Sequence, residues 1–70
     1  MYRDGTHVRV KPVGDIGPGD DWYRGCAGRV DAALTGLGGA PYVAVRPDDP
    51  KDGGTFGVLM FHPESLEIIQ

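Results

Sequence analysis

The stretch "WYRGCAGRVD" (22–31) decides how the chain folds. Gly25 and Gly28 stand just ahead of an alternating run. Glycine takes backbone conformations that other residues avoid, and it lets a second backbone come close. The pair therefore reads as a chain that leaves a loop, turns sharply and enters a strand beside another backbone. The strand itself is "GRVDAAL" (28–34), with Val30, Ala32 and Leu34 on one face and Arg29 and Asp31 on the other.

Outward from this stretch the pattern repeats. Upstream, "HVRV" (7–10) alternates, with Val8 and Val10 inward. Downstream, "YVAVR" (42–46) places Val43 and Val45 inward and Tyr42 and Arg46 outward. "TFGVLMF" (55–61) is apolar on both alternating sets, and "SLEII" (65–69) gives a short last strand. Twelve glycines and six prolines punctuate the runs. "KPVGDIGPGDD" (11–21) is a long irregular loop, "TGLGGAP" (35–41) a connector, "PDDPKDGG" (47–54) an exposed turn and "HPES" (62–65) a single short turn. Ala32–Leu34 have some helical propensity, but Gly36, Gly38 and Gly39 end any helix within two turns. The expectation is an all-β chain: five short strands in a partly open barrel, with a long first loop and one short turn before the last strand. Partial closure protects sheet edges in so small a domain.

Size and charge narrow the function. Seventy residues make one domain, with an ordered core expected over 6–69. A chain this short buries only about 60% of its unfolded surface, which leaves no volume for a deep cleft. Cys26 is the single cysteine, so disulfides are excluded, and with His7 and His62 it does not make a structural zinc spacing. No cofactor or metal is expected. The free thiol fits a reducing, cytoplasmic setting, and no run approaches the roughly 18 apolar residues of a membrane span. The net charge of −3 argues against general phosphate-backbone binding, though not against a local basic stripe.

The pattern Tyr23-x-Gly25-x-x-Gly28-x-Val30, preceded by Val8-x-Val10, resembles the KOW motif of SH3-like domains in ribosomal and transcription-elongation proteins. The loop between the two halves is longer here, through "DIGPGDD". "HVRV", "DWY", "GRVD", "PYVAVR" and "FHPESLEII" together resemble the photosystem I subunit IV family, another SH3-like barrel that docks on a larger complex; related barrels serve as accessory modules in nitrile hydratase β subunits. The resemblance implies an SH3-like barrel and a docking role. It implies no ligand. The "ALYDY" segment, tandem Trp and Pro-x-x-Tyr of peptide-binding SH3 domains are absent, which argues against polyproline recognition.

No motif specifies an enzyme. "TGLGGA" lacks the Lys-Ser/Thr ending of a phosphate loop. Cys26 lies near Arg24 and Arg29, which could lower a thiol pKa, but it reads first as a small buried side chain. His7 and His62 read as strand-end residues. The candidate binding residues are on the surface. Arg9, Arg29 and Arg46, with Lys11, project from strand faces and could form a stripe. Trp22 and Tyr23 have the composition of an interface hot spot. Phe56, Val58 and Met60, joined by Ile68, are expected to face out beside an inward Leu59 and Phe61; either the long loop folds back to cover them with Trp22 or Ile16, or another chain does, a homodimer being the leading expectation. The leading expectation is a non-catalytic module that docks on a protein partner. A KOW-like nucleic-acid, ribosome- or RNA-polymerase-associated factor is the alternative.

Overall fold

The computed structural model describes residues 2–54 and 57–69. Five strands form one antiparallel sheet: β1 His7–Val10, β2 Ala27–Thr35, β3 Pro41–Pro47, β4 Leu59–Phe61 and β5 Leu66–Ile68. Their order is β4-β3-β2-β1-β5, so β4 and β5 are the two edges and the sheet is not closed. The all-β plan of five short antiparallel strands expected from the sequence is present, as a single open sheet. Helical structure among the described residues is confined to 3-10 turns of three or four residues.

The alternation of the strands builds the core. Val8 and Val10 of β1, Val30 of β2, Val43 and Val45 of β3, Phe61 of β4 and Leu66 of β5 are all buried in one cluster. Tyr2, Ile16, Tyr23 and Leu59 pack against it from the rim. Tyr23 sets its ring edge-on to Phe61, with centroids 5.5 Å apart, a favoured aromatic geometry.

The two glycines of the deciding stretch do different work. Gly25 has φ +84°, the left-handed turn that only glycine adopts freely. Gly28 has no such backbone. It faces Pro47 across the β2–β3 ladder, and a Cβ there would collide with the Arg46 carbonyl and come within 2.7 Å of Val45 Cγ1.

Three expectations about faces are corrected. In β2, Leu34 does not share the inward face of Val30. A bulge between Val30 and Ala32 leaves Asp31 unpaired and shifts the alternation by one. Ala33 therefore opposes Val43, while Leu34 opposes Tyr42 and is exposed. The fourth strand is shorter than expected, because Gly57 has φ +74° and the extended backbone begins only at Leu59. Within it, Phe61 points in, Leu59 packs on the core and Met60 points out; Phe56 lies outside the described residues. Finally, Ile68 does not join Met60. It pairs with Val8 on the core-side face of β5, at the exposed end of that strand, whereas Met60 pairs with Ala44 at the opposite sheet edge.

Candidate functional site

The long connection from β1 to β2 is pinned at its centre. Asp20 opens a 3-10 turn, Asp20–Tyr23, and is only 6% exposed. Its Oδ2 accepts the Ser65 hydroxyl at 2.6 Å and the His62 backbone N–H at 3.0 Å, and lies 3.1 Å from His62 Nδ1. Ser65 Oγ in turn accepts the Gly17 N–H at 2.8 Å. A buried carboxylate thus finds several donors, which is what keeps it from being costly. These side chains are a Ser, a His and an Asp, yet they do not form a nucleophilic triad. The hydroxyl donates to the carboxylate instead of to the imidazole, and Ser65 is fully buried. The network ties the first loop to the turn Pro63–Ser65 ahead of β5.

The anchor splits the aromatic pair of the loop. Tyr23 turns inward to Phe61, while Trp22 is 87% exposed. The indole thus stands in water on a turn whose backbone is anchored through Asp20.

A second feature was not read from the sequence. Tyr2, Leu34, Pro41, Tyr42 and Pro63, with neighbouring backbone, line a predominantly apolar groove of about 440 Å³ at the outer end of the β2–β3 hairpin. The β2 bulge places Leu34 there. Tyr2 is fixed by donating its hydroxyl to the Leu66 carbonyl at 2.8 Å, and burial raises its pKa above the ordinary tyrosine value. Tyr42 is supported by the His62 ring, 5.1 Å away centroid to centroid. The groove wall and the loop anchor therefore share His62. Its residues come from four separate segments, so no local motif announces it.

The arginines do come together on the outer sheet face. Register sets Arg29 directly opposite Arg46, and His7 directly opposite Arg29, giving a row of basic side chains across β3, β2 and β1. Arg9 is one row on, opposite Glu67. The stripe is interleaved with carboxylates: Arg9 with Glu67 at 2.8 Å, Arg46 with Asp31 at 3.4 Å and His7 with Asp48 at 2.7 Å. Val58 is half-buried and Met60 exposed; Met60 opposes Ala44, two residues from Arg46 on the neighbouring strand, so of the arginines it stands beside Arg46 at the β4 edge.

Cys26 is half-buried, not lowered but raised in pKa, by burial first and then by the carboxylates of Asp52 and Asp49. Arg24, expected beside it, instead donates to the Lys11 and Gly14 carbonyls of the first loop. Among the described residues, no three His, Cys, Asp or Glu side chains gather as a metal site, and no helix is long and apolar enough to cross a membrane. No family model, no curated protein and no solved structure significantly matches this chain.

Proposed function

We propose that the chain is a small non-catalytic module of the SH3-like barrel superfamily, working in the cytoplasm, that docks on a protein partner as an accessory or regulatory factor. The observation that carries this reading is the apolar groove of Tyr2, Leu34, Pro41, Tyr42 and Pro63. Its volume is within the roughly 300–1,000 Å³ of sites that enclose a small ligand or a few side chains. The occupant is a short apolar segment of the partner flanked by positive charge. Exposed Glu64 adjoins Pro63 at the groove, exposed Asp21 follows the Asp20 anchor, and the chain as a whole is acidic at −3. Trp22 would extend the contact from the first loop.

The test uses paired baits. Wild-type protein and Leu34→Glu are each presented to extract of the native host, and the partner they recover is purified and titrated against both. Leu34 is exposed, so the substitution leaves folding intact. A loss of about tenfold or more in affinity supports the groove. A partner bound equally by both baits removes it.

The alternative, a KOW-like nucleic-acid or ribosome- or RNA-polymerase-associated factor, is favoured by the alignment of Arg9, Arg29 and Arg46 on one face. A salt titration separates the readings, because phosphate contacts give a steep dependence on ionic strength and an apolar groove does not. Among the described residues a homodimer would rest on Val58 and Met60, and sedimentation of wild type against Met60→Lys reads it directly.

A further inference from the structure

The outer sheet face holds a charge pattern that the docking reading does not use. Directly opposed like charges on an antiparallel pair destabilise it, yet Arg29 and Arg46 face each other across β2 and β3, and His7 continues the row. Among the described residues, the carboxylates placed on this face are already engaged: Glu67 with Arg9, Asp31 with Arg46 and Asp48 with the His7 ring. Arg29 has no carboxylate partner among the described residues. Its one hydrogen bond among the described residues goes from Nη1 to the Gly5 carbonyl at 3.2 Å, a neutral acceptor. The overall charge of −3 means that this row is not the by-product of a basic chain.

We infer that Arg29 and Arg46 together form a binding site for a phosphate oxyanion. A guanidinium presents its N–H groups as a planar fork that matches the spacing of phosphate oxygens. Two such forks from directly opposed strand positions start from Cβ atoms about 4.5–5.5 Å apart, close enough to close on one tetrahedral group. The anion would supply Arg29 with a negative charge that none of the described residues gives it, and offset the repulsion between the pair. Arg46 holds Asp31 only loosely, at 3.4 Å between exposed groups, so it can turn to a better acceptor. His7 stays with Asp48 beside the site. The row lies toward the Pro47 end of β3 and the groove toward its Pro41 end, so the two sites stand independently.

The experiment is a titration of the whole chain with sodium pyrophosphate against sodium chloride at matched ionic strength, read by thermal unfolding and by the guanidinium NMR signals of the arginines. Saturable binding that raises the melting temperature by a few degrees, and moves the Arg29 and Arg46 signals together, is the expected result. Arg29→Gln should weaken binding about tenfold while leaving the anion-free protein at least as stable as wild type. Arg9→Gln, which removes a cation already paired with Glu67, should keep the affinity within about twofold. A single-stranded oligothymidylate distinguishes the source of the phosphate. Tighter binding of the strand than of pyrophosphate, lost in Arg29→Gln, assigns the site to a nucleic-acid backbone; pyrophosphate binding without it assigns a small phosphate compound. The inference is overturned if neither ligand saturates, if Arg9→Gln weakens binding as much as Arg29→Gln, or if Arg29→Gln binds as wild type does.

Discussion

Two glycine-rich connections of this barrel, the long one between β1 and β2 and the short one between β2 and β3, are held in opposite ways. The longer spans residues 11–26 and is fastened along its course. Gly17 and Asp20 bond to Ser65 and His62, Arg24 reaches back to Lys11 and Gly14, and Gly25 donates to the Val10 carbonyl at 2.9 Å. The shorter, around Leu37–Gly39, is closed by its own backbone, Gly36 N–H to the Ala40 carbonyl at 2.7 Å, and carries Leu37 fully into solvent. Loop-closure entropy grows only slowly with length. What orders a loop is the number of buried polar groups it must satisfy, and the longer connection has a buried carboxylate to satisfy while the shorter has none among its residues.

The comparison can be broken hardest at the exit of the long loop. Gly28→Val should cost about 4 kcal/mol or more, because the atoms in its way include the Arg46 carbonyl and Pro47 Cα, backbone that cannot swing aside. Circular dichroism should show an unfolded or barely folded chain; a melting temperature within a degree or two of wild type would mean the β2–β3 contact is not as tight as described. Next comes the anchor. Asp20→Ala leaves the Ser65 hydroxyl and the His62 N–H without their acceptor and should cost about 2–4 kcal/mol. Asp20→Asn retains an oxygen for both and should cost less; equal losses in the two variants would show that the negative charge, not the acceptor, holds the loop. Gly25→Ala forces a side chain into φ +84° and should cost about 1–2 kcal/mol in denaturant melts.

A thiol probe sharpens the contrast without unfolding anything. Burial and the Asp52 and Asp49 carboxylates raise the Cys26 pKa, so less thiolate is present near neutrality. Alkylation of Cys26 should be slower at about pH 7.5 than that of a Leu37→Cys thiol on the short connection, measured in a Cys26→Ala background. The gap should narrow as pH rises. Comparable rates throughout would place Cys26 in a more open site. The smallest effect is expected at the tips themselves: Leu37→Ser and Trp22→Ser should each move the melting temperature by no more than about 2 °C. Trp22→Ser should nevertheless weaken partner binding if the first loop extends the groove.

Period-two alternation served well where nothing interrupted it. The bounds of β1, the inward valines of β3 and the outward arginines all follow from neighbouring residues alone. It failed at Leu34, because a single extra residue in a ladder reverses every side chain beyond it and Asp31 gives no local sign of being that residue. It was silent in "TFGVLMF", where both faces are apolar and the positive φ of Gly57 sets the strand start. The groove and the Asp20 anchor were hidden for a different reason. Both are assembled across the chain, as in the contacts of Asp20 with Ser65 and Tyr2 with Leu66, and a separation of 45 or 64 residues leaves no periodic trace.

The pairing of β1 with β5 bears on how the protein is made. Val8, Arg9 and Val10 cannot complete their hydrogen bonding on one side until Ile68, Glu67 and Leu66 exist. A ribosome adding roughly 5–20 residues per second therefore makes β1 seconds before the strand that seals it. Through that interval the emerging hairpin offers an open edge at β1, where chaperone contact or wrong pairing would compete. The first strand of the sheet is thus sealed by the latest of the described strands.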